Sequence, residues 1–419
     1  MAARPWWRIG WRNLGRNRRR SLITIAALAV GYFSVVLLVG WWDGVVVEMI
    51  NNGTGILSGQ LQVHSAAYLP DRNVYETIGG PDGTDVTAII AGVTADPAVE
   101  GAAPRVYGGG LVSFGNATTA AAFLGIDPEL EPRVSRLMDA LSSGRPPARG
   151  TNEILVGVEM ARILGVEPGA EVVVVAPAVD GSLGNDLFVV SGVFTSGLAD
   201  LDRTFALLPI DALQALMVLD PGRVHEIAAA VPDPWDAPAA ATRLHSALGA
   251  TDGALAVESW TDLRPELVEY AQLSQSFQWV LLVIVFGMAI FGVANTMLMA
   301  TFERRHEFAL LLALGAAPRG IVWSVVVEAI ALGAIGLLVG AAVTGPVLVW
   351  WHNAPPDLSW LVGDFTMAGA LVRPVLRVEY PWSMAVQSAL ALFATAALAA
   401  LYPAMRAARV PPADTLSGR

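Results

Sequence analysis

Four apolar runs decide what this chain can become: residues 21–42, 277–301, 321–350 and 382–402. Each is long enough as a helix, at about 1.5 Å of rise per residue, to cross a hydrocarbon core of about 30 Å. The first run follows a basic flank, as a secretory leader would. Its 22 residues exceed the ~7–15 apolar residues of such a leader. It ends in Gly40-Trp41-Trp42-Asp43, with no small-residue cleavage site. An uncleaved span is therefore expected, with Trp41 and Trp42 as interfacial anchors. A hydrophobic fraction of 54% and a mean hydropathy of +0.53 fit a membrane protein better than a soluble one.

The stretch between the first two runs differs in kind. Residues 44–275 hold 29 acidic side chains against 11 Arg, and no run within them reaches span length. Short β-rich stretches recur at 59–64, 171–175 and 188–194. A helical pattern at 157–165 leads through the Glu167-Pro168-Gly169 turn into a strand. The expectation is an α+β domain of two lobes, large enough for its own core. The fold class is thus an α-helical membrane domain with four transmembrane helices, plus a large extracytoplasmic α+β domain inserted between helices 1 and 2.

Orientation follows from Arg. Residues 1–20 carry seven Arg and no acid, with Trp7, Trp11 and Leu14 on one helical face, the pattern of an amphipathic interfacial helix. Arg304, Arg305 and Arg319 lie between the second and third runs, and Arg406, Arg409 and Arg419 follow the fourth. The positive-inside rule puts all three regions, and both termini, in the cytoplasm of a multi-pass inner-membrane protein. The expected layout is an interfacial helix at 1–20, spans at 21–43, 276–301, 321–351 and 382–403, and an outer domain at 44–275. A cytoplasmic segment at 302–320, an outer loop at 352–381 and a cytoplasmic tail at 404–419 complete it.

The segment 303–319 reads as a short helix joining two spans. Leu310, Leu311 and Leu314 recur at helical spacing, Gly315 suits a helix end, and Pro318 can open the next helix. Such a helix, with a mixed charged and apolar face, is placed to receive a partner. Inside the spans, Asn295 and Thr296 are expected to bond neighbouring helices, and Gly336 and Gly340, with Gly333 before them, to permit close helix contact. Glu328 is a carboxylate two turns into a span, a costly placement. Residues 259–277 are expected to lead into span two with little to break the helix but Pro265, and 44–50 to extend span one. Stiff extensions of this kind would act as levers.

Some chemistry is excluded. The chain has no Cys, hence no disulfide or thiolate site. All 26 basic residues are Arg, and a Walker-type site needs a Lys on the phosphates. Any ATP that drives this chain is hydrolysed by another polypeptide. His64, His225 and His245 lack ligand spacing, and Asp200 and Asp202 lack the further carboxylates of a calcium loop. No metal or catalytic residue is expected.

Residues Glu303-Arg304-Arg305-His306-Glu307 followed by Leu312-Ala313-Leu314-Gly315-Ala316 resemble the ERRxEI…LRALGA signature of the FtsX/MacB-like permeases of ABC transporters. The segment 292–305, the opening at 11–22 and the tail at 403–416 resemble the same family, although Pro411 and Thr415 are not its commonest residues there. Within 44–275 the likeness is weaker; Ser58 to His64 with Tyr68-Leu69, and Asn152 to Gly157, resemble lipoprotein-releasing permeases of the LolC/LolE type. The ATPase that MacB exporters fuse to their N-terminus is not expected here. The resemblance implies a type VII ABC transporter subunit whose permease dimer encloses a space outside the membrane. Glu303, Arg304, Arg305, Glu307, Leu310, Leu314 and Gly315 would then form the coupling helix that docks an ATPase. Glu328 matches a position often Glu in the family and would be structural or coupling. Val35, Leu38, Val39 and Trp42, with Phe277, Val280 and Leu281, would line an acyl-chain cavity.

The partners implied are a cytoplasmic ABC ATPase dimer that binds ATP and Mg, a second permease (the same chain or a sister), a periplasmic carrier or accessory protein, and membrane lipids. No cofactor in this chain and no nucleic acid are implied. The activity implied is ATP-driven lipoprotein extraction. The alternatives are MacB-like efflux of peptides, antibiotics or other amphiphiles, and FtsX-like signalling to a cell-wall hydrolase or sensor kinase. Signalling members usually have a smaller outer domain.

Overall fold

A computed structural model describes residues 18–56, 58–80, 85–248, 254–357, 360–361, 365–367, 370–372, 375, 377–380 and 382–416. The expected interfacial helix at 1–20 lies outside them except for its last three residues. The chain divides into two units: residues 1–46, 272–360 and 375–419, and residues 47–271 with 361–374.

The first unit is helical. In chain order the long helices are α1 (Arg18–Gly55), α8 (Pro265–Glu303), α10 (Pro318–Asn353) and α11 (Trp382–Ala407), joined by the shorter α9 (Arg305–Ala313) and followed by α12 (Pro412–Leu416). All four long helices are long and apolar enough to cross a membrane. One apolar core joins them, with Leu28, Val36, Phe286, Val293, Val325, Ala329, Leu392 and Ala400 buried together. The Gly pattern of α10 explains how closely they pack. Gly336 faces Leu28 and Gly340 faces Ala29 and Tyr32, all of α1, while Gly333 faces Ala396 of α11. With no Cβ on these residues, the backbones approach closely on two sides of α10. Near the other end of α8, the Gln278 amide donates to Asp43 of α1, and the Trp42 and Phe277 rings lie 6.0 Å apart.

The second unit is built on strands β1 (Leu61–Ser65), β2 (Ile78–Gly79), β3 (Gly101–Phe114), β4 (Ala117–Ile126), β5 (Leu141–Gly144), β6 (Glu153–Gly157), β7 (Glu171–Pro177), β8 (Leu183–Phe194), β9 (Phe205–Pro209), β10 (Arg223–Val224), β11 (Glu226–Ala230) and β12 (Leu255–Ser259). Helices α2 (Val86–Thr94), α3 (Val158–Leu164), α4 (Ala199–Thr204), α5 (Ile210–Leu216), α6 (Ala237–Ala247) and α7 (Trp260–Leu263) lie between them. A β13–β14 hairpin (Phe365–Met367 and Ala370–Val372) also groups with this unit. The stretch 352–381 is therefore more than the plain loop expected: it carries this hairpin and an Asp357–Val375 bridge.

The two expected lobes are instead one hydrogen-bonded sheet of ten strands. The 14 residues of β3 explain this. Its first half pairs with β11, which continues through β1 to β12, and its second half pairs with β7. From there β3, β4, β9, β6, β8 and β7 close a ring. Strand β7 shows the required alternation, with Val172, Val174 and Ala176 inward. Gly110 marks the β3–β7 junction, where a Cβ would sit 1.9 Å from the Val175 carbonyl oxygen. The helix expected over 259–277, with Pro265 as the one residue to break it, does break there. α7 stops at Leu263 and α8 starts at Pro265, because Pro has no N–H to extend a helix but fits its first turn.

The open half of the sheet buries an ionic cluster. Arg105 of β3 sits opposite Glu226 of β11 in register. Its guanidinium grips Glu131 as a fork, Nη2–Oε1 at 2.6 Å and Nε–Oε2 at 3.2 Å, and lies 3.6 Å from Glu226. All three side chains are fully buried. The Tyr107 hydroxyl donates to Glu226 at 2.9 Å and the Gln62 amide at 3.3 Å. Nearby, His225 Nδ1 accepts the Tyr107 N–H, so Nε2 carries the proton it donates to the Val74 carbonyl. Burial pushes the Glu226 carboxyl up and Arg105 pulls it back less strongly, leaving it above the usual carboxylate range. Between the usual value and the raised one, the folded chain keeps a proton that the unfolded chain releases. This contribution is complete below the usual value and is lost as pH rises through the raised one. Thermal unfolding of the protein in detergent should show that falling stability in the wild type. Glu226→Gln should lack it, and equal pH slopes would refute the assignment.

Candidate functional site

The site is built where α8 hands over to α10. Helix α8 ends because Arg304 leaves helical geometry, at φ −97° and ψ 13°. After α9, Gly315 takes φ +86°. The Gly315 N–H then donates to Leu312 and the Ala316 N–H to Leu311, both at 3.0 Å. These two bonds form a Schellman motif, which satisfies carbonyls the helix end would otherwise leave open. Pro318 opens α10 at its first position. The turn is fixed by Gly at one side and Pro at the other.

Helix α9 has an inner face and an outer face. Phe308 and Ala309 are fully buried, Phe308 in the same core as Ala404 and Ala407 of α11, with Leu312 partly buried against that core. The C-terminal α12 also packs on α9. Leu310 and Leu314 point outward, 52% and 76% exposed. Glu303, Arg305 and His306 are exposed beside them. Of the three leucines expected on one face, Leu310 and Leu314 form it, and Leu311 lies partly buried between the faces.

Arg304 turns inward. Its Nη1 donates to Glu328 of α10 at 2.9 Å and its Nε to Glu307 at 3.1 Å, and its guanidinium lies over the Phe308 ring at 5.0 Å. Arg304 keeps 13% of its side chain exposed and Glu328 6%. Glu328, the carboxylate inside the third apolar run, therefore meets the cation at the end of α8, and the two tie α9 to α10. Arg406 of α11 stacks over Phe302 at 4.8 Å, so a second cation meets the end of α8.

The other residues singled out in the sequence disperse. Val35 and Val39 are buried in the bundle core and so lie inside this chain. Leu38, Phe277 and Val280 are exposed, and Trp42 and Leu281 lie half-buried. Thr296 donates to Gly292 one turn back on its own helix, rather than across to a neighbour. Asn295 is exposed on α8. Local backbone acceptance explains the difference: a Thr in a helix reaches its own i−4 carbonyl without help from another element.

Sequence reading named Arg304 and Glu328 but did not join them, read Arg406 only as a basic flank, and missed Phe302, Phe308 and the seat that α12 provides. A pair of Arg residues following an apolar run and a lone Glu inside the next were the signal available. Gly315→Ala tests the turn. A Cβ there meets nothing within 4 Å, so the expected cost is backbone strain alone, about 1 kcal/mol. Thermal unfolding in detergent should drop slightly; an unchanged midpoint would show that the turn adapts.

The chain matches two family descriptions: MacB-like periplasmic core domain over residues 21–247, and FtsX-like permease C-terminal over residues 279–412. It is 27% identical over 97% of its length to the Lipoprotein-releasing system transmembrane protein LolC of Xylella fastidiosa, of which it covers 97%. It is 22% identical over 98% of its length to the Lipoprotein-releasing system transmembrane protein LolE of Haemophilus influenzae, of which it covers 98%. The crystal structure of the periplasmic region of MacB from Actinobacillus actinomycetemcomitans aligns with 52% of this chain and 96% of its own, at 14% identity and a TM-score of 0.37.

Proposed function

Because this chain belongs to the FtsX/MacB-like permeases of type VII ABC transporters, close to the LolC/LolE type, we propose that it extracts lipoproteins from the inner membrane with ATP hydrolysed by a separate ATPase dimer. The observation that carries this reading is α9: a helix capped at its end, seated on the bundle, and presenting Leu310 and Leu314 outward beside Glu303 and Arg305. An apolar pair inside a charged rim is what a docking helix offers a groove.

In this reading the face of α9 lies in the cytoplasm and seats in the ATPase, which holds ATP and Mg. Movement of α9 passes through the Arg304–Glu328 pair to α10 and to the end of α8. Helices α1 and α8, of 38 and 39 residues, carry it to an extracytoplasmic domain formed by the residues between them. A second permease, the same chain or a sister, completes the transporter, and a periplasmic carrier takes the product. Acyl chains of the substrate would rest against Leu38, Trp42, Phe277, Val280 and Leu281; Val35 and Val39 support that wall from within.

The test is co-purification from native membranes with ATPase and lipoprotein-release assays. The double variant Leu310→Asp, Leu314→Asp should lose ATPase association and at least ~10-fold in release, since two charges replace the apolar centre of the interface. Its melting point should hold, because both positions are exposed. Undiminished association would overturn the docking face. Normal lipoprotein localisation in cells lacking the protein, with sensitivity to an amphiphile, would move the reading to efflux.

A further inference from the structure

Resting on the function proposed above, we propose that Arg264 is a positioning residue. It clamps the start of α8 to the last turn of α1, so that the two long helices move the sheet unit together. Residues 47–55 of α1 and 265–271 of α8 belong to the sheet unit and not to the bundle. Residues 56–60 lead from α1 into β1, and residues 260–264 lead from β12 into α8. Strands β1 and β12 are antiparallel neighbours, with Leu61 opposite Ser259. Both helices therefore reach the sheet at one end of two adjacent strands.

The path from β12 to α8 has a weak point. Arg264 stands between α7 and α8 and takes φ −134° and ψ 66°, outside helical geometry. A residue at the end of an element that can absorb a backbone change is where a hinge forms, unless other bonds hold it. Arg264 supplies those bonds. Its N–H donates to the Trp260 carbonyl at 2.9 Å, and its carbonyl accepts the Leu267 N–H at 3.0 Å. Its Nε pairs with Glu266 in the first turn of α8. Its Nη1 donates to the Gly53 carbonyl at 2.9 Å. Gly53 lies in the last turn of α1, where carbonyls lack partners within the helix and a cation suits the helix dipole. One side chain thus joins the start of one long helix to the end of the other.

The seat around this clamp is closed. Trp260 is buried; its N–H donates to the Gln60 carbonyl at 2.9 Å and its Nε1 to the Pro234 carbonyl at 2.6 Å. Gln60 is buried too. Its Oε1 accepts the Val231 N–H and its amide donates to Thr54 Oγ1, each at 3.1 Å. Thr54 donates in turn to the Ile50 carbonyl of α1 at 2.7 Å. A buried network with its bonds made is rigid, and this one joins the end of α1, β1, the exit of β11 and α7. Helix α8 is fastened to it through the fully buried Leu267 and through Arg264. Arg264 keeps 24% of its side chain exposed, so replacing it opens the clamp without hollowing the core.

The experiment reads the clamp and the transport separately. The chain has no Cys, so Glu269→Cys on α8 and Ser246→Cys on α6, both exposed in the sheet unit, place two spin labels and no others. Double electron–electron resonance on the full chain in nanodiscs should give a narrow distance distribution. Arg264→Ala should widen it at least twofold. In membranes, the same substitution should lower release of a tagged lipoprotein at least fivefold, while ATPase association and the melting point hold. Arg264→Lys keeps a cationic donor for Gly53 and should restore both width and release. An unchanged width in Arg264→Ala overturns the clamp. A widened distribution with undiminished release overturns its part in transmission, as does a melting point that Arg264→Lys restores without restoring release. The label widths need neither ATPase nor cargo. A wild type that releases no lipoprotein would therefore sink the proposed function, while the widths would still decide the clamp.

Discussion

Replacing Arg105 by methionine is expected to lower the stability of the sheet unit by about 3–5 kcal/mol, as removing one member of a buried ionic group does. The side chain is fully buried and forks onto Glu131, with Glu226 3.6 Å away. Methionine supplies comparable bulk, so little of the loss comes from a cavity. The loss comes from two buried carboxylates that no longer share a cation. For a unit of this size, about 1 kcal/mol moves the midpoint by about 2–4 °C, so a drop of roughly 6–20 °C is expected. The triple variant Arg105→Met, Glu131→Gln, Glu226→Gln should recover much of it, because the charges leave together and Tyr107 and Gln62 keep an acceptor at position 226. Thermal unfolding of wild type, single and triple variants in detergent checks both claims. A single variant within about 2 °C of wild type would remove the cluster from any stabilising role.

The spans were legible because apolar runs of that length have few soluble alternatives, and the turn at Gly315 and Pro318 was legible because each residue has a narrow backbone role. The strands expected at 171–175 and 188–194 announced themselves by Val-rich runs, and they lie within β7 and β8. Their closure into one sheet did not, because it depends on where the long β3 changes partner, and no local pattern records pairing across 60 residues and more. Arg105 was invisible for the same reason. Its partners come from a 3₁₀ turn and from β11, more than 20 and 120 positions away along the chain. At α9, spacing suggested one leucine face. The buried face was set instead by Phe308 joining the bundle core and by α12 packing on α9, contacts that a single-helix reading does not contain.

The largest functional effect is expected from separating Arg304 and Glu328. Arg304→Ala removes the cation from a carboxylate with 6% of its side chain exposed, among Val325, Val327 and Ala329 of α10. It also removes the arm onto Glu307 and the cover over Phe308. Leu310 and Leu314 stay in place, since the Gly315 turn does not depend on Arg304. ATPase association should therefore survive while lipoprotein release falls by at least ~10-fold, about 1.4 kcal/mol or more of lost coupling. That split separates this variant from the leucine double variant, which loses both. Glu328→Gln keeps a hydrogen bond to Arg304 and should lose much less. Glu328→Ala should resemble Arg304→Ala, and the double alanine variant should be no worse than either single. Two residues acting as one unit are non-additive, with an interaction term of about 0.5–3 kcal/mol. Release and ATPase binding measured across that four-variant cycle check the pair. Strictly additive losses would mean that the two side chains act separately, and α9 would then have to pass its motion to α10 through the Phe308 packing and the backbone turn.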